Sequence, residues 1–253
     1  MDKQPTRPPR WRGRRAPVWV IGFTLLLSTV PLAQGSSESS TPAVPDVLGR
    51  EAEPLVEYQA FRRMHARSDR FNQEGGLDAW TEFDGRTFRY RILSERGSEY
   101  VLNKVLKAVL KREQELIAEG ADRAAFTEDN YVFSGVREDT DGRRYVSITP
   151  KRKDVVLVDG RMVLTPDGSD VARVEGRLAK NPSFWTSLVN VIRHFAKVDG
   201  VRVPVSTESI AKIKFAGQSR LDVSYEYASI NRRPVSVAAR RILASARSSL
   251  LPE

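Results

Sequence analysis

His65 and His194 are the only two histidines in the chain, and there is no cysteine at all. The two imidazoles fall on separate predicted elements, so they offer no i, i+4 metal pair, and each reads as a structural side chain. The missing thiol removes disulfides, thiolate metal sites, a cysteine nucleophile and a lipid-modified N-terminal cysteine together. No G-x-S-x-G elbow, phosphate-binding P-loop or G-x-G-x-x-G loop occurs. Carboxylates such as Glu175, Asp222 and Glu226 alternate with apolar residues, the pattern of a solvated sheet face and not of an acid/base pair. The expectation is a non-enzymatic protein that needs no cofactor and no metal. Lys151-Arg152-Lys153 is the one basic cluster inside the domain. Between Pro150 and a predicted strand it fits a solvated turn, or a patch for an anionic headgroup or an acidic partner.

Apolar surface is what remains to carry function, and most of it lies between Val155 and Tyr227. That run is rich in β-branched and aromatic residues, and Asp-Gly pairs interrupt it at Asp159-Gly160, Asp167-Gly168 and Asp199-Gly200. Tight hairpin turns need positive φ, which Gly adopts without strain and Asp tolerates, so an antiparallel meander is expected. Trp185 to Val198 and Val201 to Phe215 predict two strands of about a dozen residues, about twice the usual length, which suits a strongly curved sheet. In the last strand Leu221, Val223, Tyr225 and Tyr227 share one face, opposite Arg220, Asp222, Ser224 and Glu226.

Upstream, Leu77 to Ser94 predicts a hairpin, with Phe88, Tyr90 and Ile92 on one face of its second strand and Arg89 and Arg91 on the other. Two amphipathic helices are expected. The first spans Pro54 to Phe71, with Leu55, Tyr58, Phe61, Met64 and His65 at three- and four-residue spacing and Arg62, Arg63 and Arg67 elsewhere. The second spans Glu99 to Glu119, capped by Ser98 and ended by Gly120. Tyr131 to Glu138 and Arg143 to Thr149 form a further hairpin over Asp141-Gly142. The fold class is therefore mainly β with some α: an antiparallel half-barrel of about ten strands covered by two helices. Space left between helices and sheet would be an apolar cavity for a lipophilic ligand; the alternative is a fully packed core.

The formal net charge is +9. Residues 1–35 carry six basic side chains against Asp2, a contribution of +5, and residues 231–253 carry five Arg against Glu253, a contribution of +4. The remainder is neutral, so the basic footprint of a nucleic-acid binder is missing from the domain. Residues 1–35 read as an export signal: an Arg-rich start, an apolar run from Ala16 to Leu32, then Ala33-Gln34-Gly35, a small-residue cleavage site. Retention as a signal anchor is the alternative. Residues 36–50 have linker composition, 51–230 form the domain, and 231–253 make a basic tail, with a short helix as its other reading.

Five local stretches together resemble a known group. They are Val163-Leu164-Thr165-Pro166-Asp167-Gly168, Arg173-Val174-Glu175-Gly176, Pro182-Ser183-Phe184-Trp185, Gly200-Val201-Arg202-Val203-Pro204-Val205, and Tyr225 to Asn231. With the order of elements, they make residues 51–231 similar to the periplasmic LolA-like carriers that sort outer-membrane lipoproteins, and to the RseB/MucB-type sensor domains. The resemblance implies an incomplete curved barrel, helices acting as a lid, and a hydrophobic cavity for acyl chains, with no catalytic residues. It also implies an early-strand arginine that controls the lid, for which Arg89 and Arg91 are candidates. Neither the tail nor Lys151 to Lys153 matches the pattern.

The expected ligand-lining residues are Phe88, Tyr90, Ile92, Leu221, Val223, Tyr225 and Tyr227. The expected partner is a lipid or a lipoprotein acyl chain, with peripheral membrane contact; the rival is a sensor-like module that binds a membrane protein, by its sheet or its Arg-rich tail.

Overall fold

The computed structural model describes residues 53–69, 72–184, 186–214 and 217–248. The export signal, the linker, Phe71, Trp185 and Phe215 lie outside these residues.

One antiparallel sheet of twelve strands dominates. Its strands are β1 (Tyr58–Ser68), β2 (Gln73–Phe83), β3 (Phe88–Gly97), β4 (Tyr131–Phe133), β5 (Arg137–Glu138), β6 (Arg144–Pro150), β7 (Val158–Leu164), β8 (Val171–Leu178), β9 (Thr186–Val198), β10 (Val201–Ile213), β11 (Gly217–Ile230) and β12 (Arg233–Pro234). The order across it is β3-β2-β1-β11-β10-β9-β8-β7-β6-β4, with β5 beside β6 and β12 beside β11. The long β9 and β10 meet at Asp199-Gly200, both at positive φ, as the Asp-Gly reading expects. The sheet is strongly curved and remains open. Bulges at Gln59/Ala60 and Pro204/Ser206 add twist where curvature is needed. At the Gly160–Gly176 pair of β7 and β8, a Cβ on either residue would collide with the opposite backbone, so only glycine permits that approach.

The expected first helix, Pro54 to Phe71, is instead strand β1. It lies in the middle of the sheet, pairing with β2 on one side and β11 on the other. Its true period is two: Tyr58, Ala60, Arg62, Met64 and Ala66 are buried, while Gln59, Arg63 and His65 are exposed. An inward arginine and two small alanines hid that alternation, leaving a chance helical spacing among the larger residues.

The second helix stands as expected, in three continuous parts: α1 (Glu99–Val101), a π-helical turn over Leu102–Leu106, and α2 (Lys107–Glu119). Ser98 caps its start and Gly120, at φ 115°, ends it. Strand β3 is one edge of the sheet and β4 the other, so the chain between them must cross from edge to edge. It begins that crossing as this helix, lying over the inner face of β1–β3, and residues 120–130 complete it.

The tail is not loosely attached. Val237–Ser248 forms α3, which buries Ala239 and Leu243 in the core cluster containing Val198, Val201 and Val203. Strand register places Ala196, Val198, Val201 and Val203 on the outer face, so α3 covers the sheet on the side away from the α1–α2 helix. Two helices do cover the sheet, but the second comes from the C-terminus rather than from residues 54–71.

Candidate functional site

Strand register brings the seven expected lining residues onto one face. Met64 of β1 lies opposite Val223, Arg62 opposite Tyr225, and Ala60 opposite Tyr227. On the other side of β1, Arg62 faces Ala79 and Ala60 faces Thr81; these in turn face Ile92 and Tyr90 of β3. Phe88, Leu221, Val223, Tyr225 and Tyr227 are buried, and Tyr90 and Ile92 are partly buried against the same cluster. The α1–α2 helix lays Leu102, Leu106, Val109, Leu110 and Ile117 on this floor. The inner face is thus occupied by the helix's own apolar side chains in the state observed.

Sequence reasoning missed the residue at the centre of that floor. Arg62 is 1% exposed. Its Nη1 donates to Glu113 Oε2 at 2.6 Å and its Nη2 to Glu113 Oε1 at 3.1 Å, a two-point contact with a carboxylate on α2. Nη2 also lies 3.3 Å from the Tyr58 hydroxyl. The guanidinium sits 5.1 Å from the ring centre of Phe88 and 4.8 Å from that of Tyr225, so aromatic faces supply further attraction to the cation. Burial by itself would lower the Arg62 pKa; the Glu113 carboxylate outweighs it and holds the group charged. Burial drives the phenols of Tyr58, Tyr225 and Tyr227 upward, so all three stay neutral. Arg193 of β9 is a second guanidinium on this face, its Nε donating to Thr207 Oγ1 at 3.3 Å, and burial lowers its pKa.

The two arginines expected as lid candidates lie elsewhere. Arg89 is exposed and reaches Glu82 at 3.8 Å and Asp84 at 3.3 Å; Arg91 is exposed as well. An early-strand arginine does lie under the helix, but it is Arg62. A charged residue at an alternating position of a β-rich stretch was the one available signal, and the helical reading of residues 54–71 concealed it.

The remaining candidates are dispersed. His65 is on the outer face of β1, 3.7 Å from Glu74. His194 is on β9 beside Arg173 of β8. Within the basic cluster, Arg152 bonds to Asn130, the Arg123 carbonyl and Asp154, while Lys151 and Lys153 are exposed. Glu175 is paired with Arg161 and Arg173, and Asp222 with Arg220. Among the described residues no group of three His, Asp or Glu is placed to hold a metal ion, and no helix is long and apolar enough to cross a membrane.

No protein-family model matches the chain, and no curated protein matches it. Among solved structures it is similar to a DUF1329 family protein from Desulfovibrio piger, at 12% identity, covering 68% of this chain and 84% of that one with a TM-score of 0.37. A likeness so distant assigns no function to the chain.

Proposed function

We propose that the protein is an exported, non-enzymatic carrier that encloses a lipid or lipoprotein acyl chain between the inner sheet face and the α1–α2 helix. The observation that carries this reading is the helix itself. It lies over the β1–β3 part of the inner face, meets the floor through apolar side chains, and is fastened there by a buried ion pair, Arg62–Glu113. An acyl chain replacing the helix on the floor returns much of the apolar burial that opening gives up, because that burial is non-directional and scales with area. A buried ion pair adds little net stability over an apolar pair of similar volume, but it sets a defined position. That is the property a lid requires. The LolA-like resemblance of residues 51–231 points the same way, and residues 1–35 are consistent with export to a periplasm.

Native mass spectrometry of the protein purified from a periplasm, followed by organic extraction, tests the proposal. Co-purifying lipid, or uptake of added lipid, with loss of both in Tyr90→Asp and Val223→Asp, is expected. A clean ligand-free mass with no uptake would overturn the carrier and favour a sensor-like module that binds a membrane protein.

A further inference from the structure

We propose, resting on the carrier reading above, that the chain accepted by the inner face ends in an oxyanion, a carboxylate or phosphate monoester that takes Arg62 over from Glu113 when the helix lifts. The two members of the ion pair have different fates on opening. Glu113 belongs to the helix and moves with it into water. Arg62 belongs to β1, flanked by β2 and β11 in the middle of the sheet, and its guanidinium is held between Phe88 and Tyr225. It stays on the floor.

A wholly apolar ligand would then cover a guanidinium whose carboxylate has gone, and an uncompensated buried charge is among the most unfavourable arrangements a protein interior can hold. An oxyanion removes the difficulty, since its oxygens match the planar fork that Glu113 had occupied. The site also has a donor to spare. Arg62 Nε is buried and makes no hydrogen bond in the closed state, so an incoming head group meets one N–H more than Glu113 uses. The tail of such a ligand would lie along the Met64, Val223 and Leu221 part of the floor, which is apolar and continuous with the arginine.

Equilibrium dialysis of the purified protein against dodecanoate, dodecyl phosphate, dodecanol and dodecylammonium, each below its micelle concentration, tests this directly. Either or both oxyanions should bind about 100-fold or more tightly than the alcohol, with the ammonium weakest. The two oxyanion arms show whether the head is a carboxylate or a phosphate. Equal binding of acid, alcohol and ammonium would overturn the inference while the carrier reading stands. Binding of none would overturn the carrier reading, and the inference with it. In the Arg62→Leu/Glu113→Leu double variant, an apolar replacement of the pair that leaves the floor filled, the acid and the alcohol should bind alike. A preference that survived there would place the anion away from Arg62 and refute the assignment.

Discussion

Glu113 reaches down from α2 to place its carboxylate 2.6 Å from the Arg62 guanidinium, and the two side chains, 1% and 2% exposed, join the covering helix to the centre of the sheet. Removing one partner strands the other. Glu113→Leu should lower unfolding stability by about 3–5 kcal/mol, and Arg62→Leu by a similar amount, whereas Arg62→Leu/Glu113→Leu should recover most of the loss. Urea unfolding of the four proteins gives the coupling energy. Simple additivity of the single changes would show that the pair does not fasten the helix.

Acid sensitivity follows from His194. Burial first, and the neighbouring Arg173 cation second, depress its pKa from the ordinary 6.5 to about 4, against a smaller opposing pull from Glu175. The unfolded chain therefore binds the proton more readily than the folded one. The stabilising contribution is complete above the unfolded value and is lost as pH falls from about 6.5 towards 4. His194→Gln should flatten the decline in melting temperature over that window. An unchanged slope would exclude His194 as its source.

The close approach of β7 and β8 depends on the Gly160–Gly176 pair. A methyl group at Gly160 would press into the Glu175 carbonyl, which is backbone and cannot rotate away. Gly160→Ala should cost about 2–3 kcal/mol, within the range for overpacking a tight interior. Gly120→Ala meets no nearby atom but must hold φ 115°, so its effect comes from backbone strain alone and should be smaller, about 1 kcal/mol. Melting curves that reverse this order would show that the β7–β8 approach is not rigid.

The C-terminal helix should behave as part of the domain. Leu243 is 2% exposed among outer-face residues of β9 and β10, so Leu243→Ala should cost about 2–4 kcal/mol. Backbone amides of α3 should then exchange hydrogen far more slowly than those of a frayed terminus. Exchange at the unstructured rate would restore the reading of residues 231–253 as a tail.

The antiparallel meander and the residues sharing each strand face could be read from the sequence because both depend on neighbours two residues apart and on turn chemistry at Asp-Gly. Phe88, Tyr90 and Ile92 on one strand and Leu221, Val223, Tyr225 and Tyr227 on another were each legible as a set for that reason. So was the helix from Glu99 to Glu119, whose cap, apolar stripe and terminal glycine are all local features.

What the sequence could not supply was the pairing of β1 between β2 and β11. Its partners lie far apart along the chain, as Met64 and Val223 do, and nothing local distinguishes a buried arginine from a solvated one. Arg62 is tolerated inside only because Glu113 and two aromatic rings meet it there, and those partners come from three other elements of the fold. α3 was misread for the same reason: its two buried side chains are few, and only the outer face of β9 and β10 makes them sufficient. Period and turn chemistry belong to the sequence; the compensation of a buried charge is non-local and belongs to the tertiary structure.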